Sequence, residues 1–191
     1  ASRGDIPANN LKEFAAWAKK NGKPVTIGSY APAAVPALIA AKIAKKDGWA
    51  YKVVSFPNPS AKELVAGDAD VTTAGAEGAL SYAKAGQIKI LSAWGPSRNP
   101  VFPNAATPAE EGYGDIYSWG GMAAPVGVPK DIIQKLSSVM MDALKDKPVQ
   151  DQFKKAGIPA LPMTAEQMNK RVSDDTVWIA ELMNELGFAK K

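Results

Sequence analysis

Histidine and cysteine, on which most nucleophilic and transition-metal sites depend, are both missing from this chain of 191 residues. A Ser-His-Asp or Cys-His nucleophile and a histidine-bound zinc or iron therefore cannot be assembled from it. The lack of cysteine fits either a reducing cytosol or a periplasmic protein that avoids oxidation. The remaining groups for chemistry are carboxylates in three close pairs: Asp68/Asp70, Glu110/Glu111 and Asp174/Asp175.

These carboxylate pairs do not have the pattern of an active site. General acid and base catalysis needs two differently tuned groups in one cleft, but the first pair flanks a turn, the second lies on a loop and the third on a helix. Asp68-Ala69-Asp70 has the spacing of a calcium loop without its later ligands. The sequence therefore predicts no catalytic residue, no metal site and no cofactor, and the protein is predicted not to be an enzyme.

Side chains that suit ligand binding occur after the predicted strands. Ser29 and Ser60 could donate hydroxyl hydrogen bonds, and Asn58 could donate or accept. Tyr30 and Trp119 could shape a pocket. Ser60 and Asn58 equally suit cap and turn positions, and the two aromatic residues also suit packing. The predicted ligand-binding set is Ser29, Tyr30, Ala33, Asn58, Ser60, Ala76 and Trp119.

Repeated strand-loop-helix units must position these residues. After an amphipathic helix at residues 11–20, strands are predicted at 24–27, 51–56, 70–73 and 89–94, and helices between them at 37–46, 61–66 and 77–84. This alternation predicts a parallel or mixed sheet with helices on its faces. Ligands of such sheets bind at the carboxyl ends of the strands, where helix N-termini present N–H groups that suit a carboxylate.

Three loops lie at that edge of the predicted sheet, at residues 29–36, 56–60 and 74–77. Glu77 begins the helix that follows the third loop, where an acidic side chain stabilises the helix dipole. Beside an anionic ligand, the same carboxylate would repel.

The C-terminal part is predicted to be mainly helical. A long loop at residues 95–114, with a short helix at 108–111, leads to a strand at 116–124. Helices follow at residues 130–144, 148–156 and 165–186, with a short edge strand at 158–162. These helices need a sheet to pack on, and the preceding elements supply only part of it. Uncovered apolar faces predict either missing N-terminal sequence or an oligomer.

The charge and hydropathy of the sequence argue against a nucleic-acid partner and against a membrane-spanning helix. The net charge of +4 comes from 23 basic residues scattered among 19 acidic ones, so no nucleic-acid partner is predicted. No apolar run approaches the roughly 20 residues of a membrane helix.

Several stretches of the sequence match the motifs of one known family of proteins. Residues 83–91, Ala-Lys-Ala-Gly-Gln-Ile-Lys-Ile-Leu, resemble the family's Ile-Lys-Ala-Gly-Lys-Leu-Arg-Ala-Leu. Residues 97–112 contain counterparts of its Arg-Ser-Pro, Leu-Pro-Asp and Pro-Thr-Xaa-Xaa-Glu-Xaa-Gly motifs, and residues 118–125 resemble its Trp-Xaa-Gly-Xaa-Xaa-Ala-Pro segment. In these stretches the chain resembles the solute-binding proteins of the tripartite tricarboxylate transporters, the TctC or Bug family, and the resemblance spans nearly the whole chain.

The resemblance implies an α/β fold like that of type II periplasmic binding proteins. Residues 1–122 would form one complete α/β domain, and residues 123–191 the C-terminal helices of a second domain whose N-terminal part is absent. It also implies a periplasmic receptor that closes over a small carboxylate and delivers it to membrane subunits. The alternative is a truncated or sensor-type module that associates with a partner or with itself and does not serve transport.

The binding loops depart most from the family pattern. The loop that resembles Ser-Ala-Gly-Xaa-Gly-Ser-Pro-His-His is Ser-Tyr-Ala-Pro-Ala-Ala-Val-Pro-Ala at residues 29–37, without the glycines, the second serine or the histidines. The family's Tyr-Lys-Gly turn becomes Phe-Pro-Asn at 56–58, and its Asp-Asn turn becomes Ala-Gly at 74–75. An atypical ligand is therefore expected.

Overall fold

The computed structural model describes residues 1–117 and 119–188. Ser118, in the predicted strand at 116–124, and the last three residues of the predicted second domain lie outside the described residues. The elements in chain order are β1 (Ser2–Arg3), α1 (Leu11–Lys20), β2 (Val25–Ser29), α2 (Val35–Asp47), β3 (Tyr51–Ser55), α3 (Ala61–Ala66), β4 (Val71–Thr72), α4 (Ala76–Lys84), β5 (Ile88–Lys89), α5 (Lys130–Ala143), α6 (Lys147–Ala156) and α7 (Ala165–Glu185).

The five strands form one mixed sheet in the order β3-β2-β4-β1-β5. Strand β2 pairs in parallel with β3 and with β4, with Ile27 opposite both Val53 and Val71. The two-residue strand β1 lies antiparallel between β4 and β5, and the sequence did not reveal it because two residues carry no period. The α/β architecture is confirmed, and it brings the ends of β2 and β4 side by side.

Two apolar clusters hold the helices in place. The first joins α1, α2 and β2 and contains Phe14, Val25, Ile27 and Ile43, all at most 6% exposed. The second joins α3, α4 and β5. Because side chains alternate along a strand, Val25 and Ile27 point to the same side of β2.

Helix N-termini differ in how they are capped. Asn10 accepts from the Glu13 N–H at α1, and Ser60 and Thr164 form capping boxes at α3 and α7. The helices that follow β2 and β4, namely α2 and α4, have no side-chain cap. Their first N–H groups therefore stay available to another acceptor.

Four sequence-based predictions are corrected. Residues 90–94 alternate in burial as a strand would, but among the described residues their hydrogen bonds to the chain beside them come from the Ala93 N–H and the Ser92 hydroxyl, both to the Ala106 carbonyl. Residues 108–111 form turns that end at Gly112, which has a φ of +84°. The described residues of 116–124 and residues 158–162 form no strand. A strand needs a neighbour for its N–H and C=O groups, and no described strand lies beside these segments.

The C-terminal helices expose much apolar surface, as the sequence predicted. No α5 residue is buried, and Val139 is 54% exposed. Helix α7 contacts α2 through Lys42, whose ammonium lies 5.3 Å from the ring centre of Trp178. None of the described helices is long and apolar enough to cross a membrane.

Glu111 fastens the loop after β5 to the N-terminus of α1. Its Oε1 accepts a hydrogen bond from the Leu11 N–H at 3.0 Å, and its Oε2 is buried without a partner among the described residues. Burial raises the pKa of Glu111, the nearby N–H groups of Leu11 and Lys12 act in the opposite direction, and the charge of Asp47 adds to the rise. The folded protein therefore disfavours the charged form.

Replacing Glu111 with glutamine is expected to raise the melting temperature at pH 7, because the amide keeps an oxygen for Leu11 and removes a buried charge. A carboxyl with a raised folded-state pKa stabilises the fold fully below its unfolded-state pKa, about 4.3 for a glutamate, and loses this contribution as the pH rises through the raised value. The gain from E111Q should therefore vanish toward acidic pH. Thermal unfolding across the pH range measures it, and a gain independent of pH would contradict this prediction.

The neighbouring residue provides a control of opposite sign. The Thr107 N–H and the Arg98 guanidinium hold the pKa of Glu110 below its ordinary value. A lowered folded-state pKa contributes stability above the unfolded-state pKa, and this stability is lost as the pH falls through the folded-state value. E110Q should therefore lower the melting temperature at pH 7, with a deficit that disappears in acid.

Candidate ligand-binding site

Two adjoining cavities lie where β2 and β4 end and α2 and α4 begin. The larger has a volume of about 520 Å³ and the smaller about 270 Å³. They share lining residues from β2, from α2 and from the loop between β4 and α4: Gly28, Pro36, Thr73, Ala74 and Gly75. This is the edge of the sheet at which open α/β folds bind their ligands.

The smaller cavity contains an unpaired hydroxyl. Ser29 ends β2 and is 1% exposed, and its Oγ has no hydrogen-bond partner in the described part of the chain. A buried hydroxyl without a partner is costly, so Ser29 is ready to donate to a ligand. Tyr30 also lines this cavity and is 58% exposed. The neighbouring Thr72 hydroxyl instead donates internally to the Gly28 carbonyl at 2.9 Å.

The N-terminus of α4 reaches both cavities. Gly75 is the N-cap and carries no side chain that could accept from the first turn. Ala76, Glu77 and Gly78 form that turn and line the larger cavity. Uncapped N–H groups and the positive end of the helix dipole favour an anion here.

The larger cavity is mostly apolar. Four aromatic rings and several aliphatic side chains line it. Among the described residues that line the two cavities, Glu77 is the only one with an ionisable side chain apart from the phenol of Tyr30. The site therefore combines a polar end, at Ser29 and the α4 N-terminus, with an apolar interior.

The end of α6 closes one side of the larger cavity. Gly157, the α6 C-cap with a φ of +66°, lies against Ala76, Asn99 and Val101. The Asn99 Nδ2 donates to the Gly157 carbonyl at 2.7 Å. Sequence reasoning missed Asn99 and Gly157 as lining residues: glycine after a helix marks the C-cap, but not what it packs against.

The structure brings together three of the seven residues predicted to bind ligand. Ser29 and Tyr30 line the smaller cavity, and Ala76 lines the larger. Ala33 and Asn58 are exposed and line neither cavity.

The other two predicted residues are bonded elsewhere in the fold. The Ser60 Oγ accepts from the Lys62 N–H and donates to the Glu63 carboxylate, as part of the α3 capping box. The Trp119 indole N–H donates to Asp175 on α7. Ligand contact stays a prediction for all seven.

The carboxylate pairs are mostly engaged in structural contacts. Asp70 accepts from the Thr26 N–H at 2.8 Å and faces Arg3. Asp174 pairs with Lys170 on the surface of α7. The Asp70 contact joins β2 to the start of β4, and the Asp174 pair is an exposed ion pair on a helix surface, which contributes little stability.

A comparison with known protein families shows which family this chain belongs to. The model of the tripartite tricarboxylate transporter family receptor, TctC, matches residues 1–188. The chain belongs to the TctC family. This TctC-family protein is 25% identical over 188 residues to the "UPF0065 protein in gbd 5'region" of Cupriavidus necator, across 97% of this chain and 58% of that protein.

Solved structures agree with this family. The periplasmic binding protein BugD is 26% identical with a TM-score of 0.79, across 100% of this chain and 66% of BugD. MatC from Rhodopseudomonas palustris, solved with bound malate, has the same fold at 21% identity and a TM-score of 0.75, across 95% of this chain and 64% of MatC.

The resemblance deduced from the sequence is therefore confirmed. The family and fold are those of solute-binding proteins and not of enzymes. The TctC-family chain spans somewhat more than half the length of the curated relative and about two-thirds of the solved structures.

Proposed function

We propose that this TctC-family protein is a periplasmic receptor that binds a small carboxylate for a tripartite tricarboxylate transporter. Family membership and the likeness to the periplasmic binding protein BugD support this proposal. MatC, which binds malate on the same fold, supports a carboxylate as the class of ligand.

The observation that carries the proposal is the buried Ser29 hydroxyl, which has no partner among the described residues and lies beside the uncapped N-terminus of α4. The hydroxyl donates one hydrogen bond to the carboxylate, and the N–H groups at residues 76–78 donate to its other oxygen. Neither donor needs a cationic side chain, and none lines the described cavities.

Delivery of the ligand to the membrane subunits requires that the ligand-bound protein have a different conformation from the ligand-free protein. We expect residues 1–122 and residues 123–191 to belong to two domains that close over the ligand and present a surface to the membrane subunits. The hydrogen bond from Asn99 to Gly157 joins the two proposed units at the cavity. It is the contact that closure would tighten.

Calorimetry and thermal unfolding with malate, adipate, phenylacetate and amino acids test the proposed function. A receptor is stabilised by its ligand, by about 2.7 kcal/mol at a hundredfold excess over Kd. Stabilisation by a carboxylate that is recovered unchanged is the expected result. Conversion of the ligand, or the absence of any carboxylate-dependent shift, would contradict the proposal.

A second candidate function is a sensor or truncated module that associates with itself or with a partner protein. Exposed apolar side chains on α5 favour it, including Ile132, Leu136 and Val139. Sedimentation velocity separates the two functions. A stable dimer without a carboxylate-dependent thermal shift would support the module, and a monomer that binds carboxylates would support the receptor.

A further inference from the structure

The two ends of the candidate site differ in chemistry. At one end, Ser29 and the first turn of α4 offer uncharged donors for a carboxylate. The larger cavity, which this turn also lines, extends from there to Phe14, Trp49 and Trp94. We propose that the ligand of this site is a carboxylate with one charged end and an apolar body, and not a short dicarboxylate. This inference rests on the proposed receptor function.

A second carboxylate would find no cationic side chain among the described residues that line the larger cavity. The described lining residues include no lysine or arginine, and the only carboxylate among them is Glu77. Burying an unpaired charge in apolar surroundings is strongly unfavourable. The cavity therefore selects against a ligand that is charged at both ends.

The size of the larger cavity suits an apolar body. An apolar cavity of about 150 Å³ already accepts benzene, and the larger cavity here has about 520 Å³. A phenyl ring or a chain of several methylene groups fits this space. Each methylene group moved out of water contributes about 0.8 kcal/mol, so an apolar body adds affinity that a compact dicarboxylate cannot obtain.

The test is calorimetric titration with phenylacetate, octanoate, succinate, adipate and uncharged phenylacetamide. We expect phenylacetate or octanoate to bind at least tenfold more tightly than either dicarboxylate, and phenylacetamide not to bind. Dicarboxylates that bind more tightly would overturn this inference and leave the proposed receptor function standing. If no carboxylate binds, the receptor function fails and this inference fails with it.

Two matched pairs of variants test whether the ligand binds in the larger cavity. Ala40 of α2 lines the larger cavity, whereas Ala66 at the end of α3 is exposed and lines neither. A40F should weaken phenylacetate binding at least tenfold by filling the space, while A66F leaves it unchanged. Equal affinities in both variants would contradict a ligand in this cavity.

The second pair of variants tests the effect of the Glu77 charge on binding and does not depend on a change in how the cavity is packed. Glu77 and Glu166 both lie exposed in the first turn of a helix, but only Glu77 lines the cavity. Because Glu77 lies in the turn whose N–H groups hold the carboxylate, E77Q should raise the affinity for both phenylacetate and adipate severalfold, while E166Q changes neither. No gain for either ligand in E77Q would contradict a carboxylate held at the N-terminus of α4.

Discussion

Replacing Gly157 with alanine is expected to lower the stability of the protein by about 2–5 kcal/mol and to weaken carboxylate binding. Gly157 has a φ of +66°, and a Cβ at this position would lie 2.7 Å from the Ala76 Cβ and 2.9 Å from the Val101 Cγ2. The left-handed backbone costs an alanine about 1–2 kcal/mol, and the overlap adds about 1–3 kcal/mol. To relieve the overlap, the end of α6 must move away from the first turn of α4.

Gly48 provides the matched control for this variant. It is also a helix C-cap, at the end of α2, with a φ of +71°, but nothing lies within 4 Å of a Cβ built on it. G48A therefore reports the backbone cost alone. Chemical denaturation and calorimetry of both variants measure the difference. If G157A and G48A lose equal stability and G157A retains full affinity, the contact between α6 and α4 does not shape the site.

Replacing Ser29 with alanine is expected to weaken carboxylate binding by about tenfold to a hundredfold, the value of one hydrogen bond to a charged group. The melting temperature of the free protein should stay the same or rise. The hydroxyl is 1% exposed and has no partner among the described residues, so its removal breaks no internal bond and relieves an unsatisfied polar atom. Loss of affinity without loss of stability distinguishes ligand contact from a structural role.

Ser55 is the control for Ser29. The two residues face each other at the ends of β2 and β3, but Ser55 is exposed and lines neither cavity. S55A should leave both affinity and stability unchanged. A variant S29A that binds carboxylates as tightly as the unaltered protein would remove the smaller cavity from the proposed site.

The regular elements between residues 11 and 84 could be predicted because local signals set their limits. Asn10 and Ser60 accept hydrogen bonds from N–H groups in the first turns of the helices that follow them, α1 and α3. Gly22 and Gly67, after the ends of these helices, adopt a positive φ that ends a helix. The segments at 116–124 and 158–162 failed as strands for a related reason. Their composition favours extended backbone, but a strand exists only where a partner lies alongside.

The candidate site was predictable only as a region. The rule that ligands bind at the carboxyl ends of strands placed it at the loops after β2 and β4, and the cavities lie there. Ser29 and Ser60 could not be told apart in the sequence, since both follow strands and both are hydroxyls. The fold gives Ser60 a local partner in Glu63 and leaves Ser29 without one.

The sequence by itself determined the family, the α/β class and the absence of histidine and cysteine chemistry, because composition, motifs and caps depend on neighbouring residues only. The tertiary structure decided which loops meet, how α6 closes the cavity through Gly157, and that one end is polar and the other apolar. These features arise from contacts between residues far apart in the chain, such as Asn99 and Gly157, which no local pattern encodes.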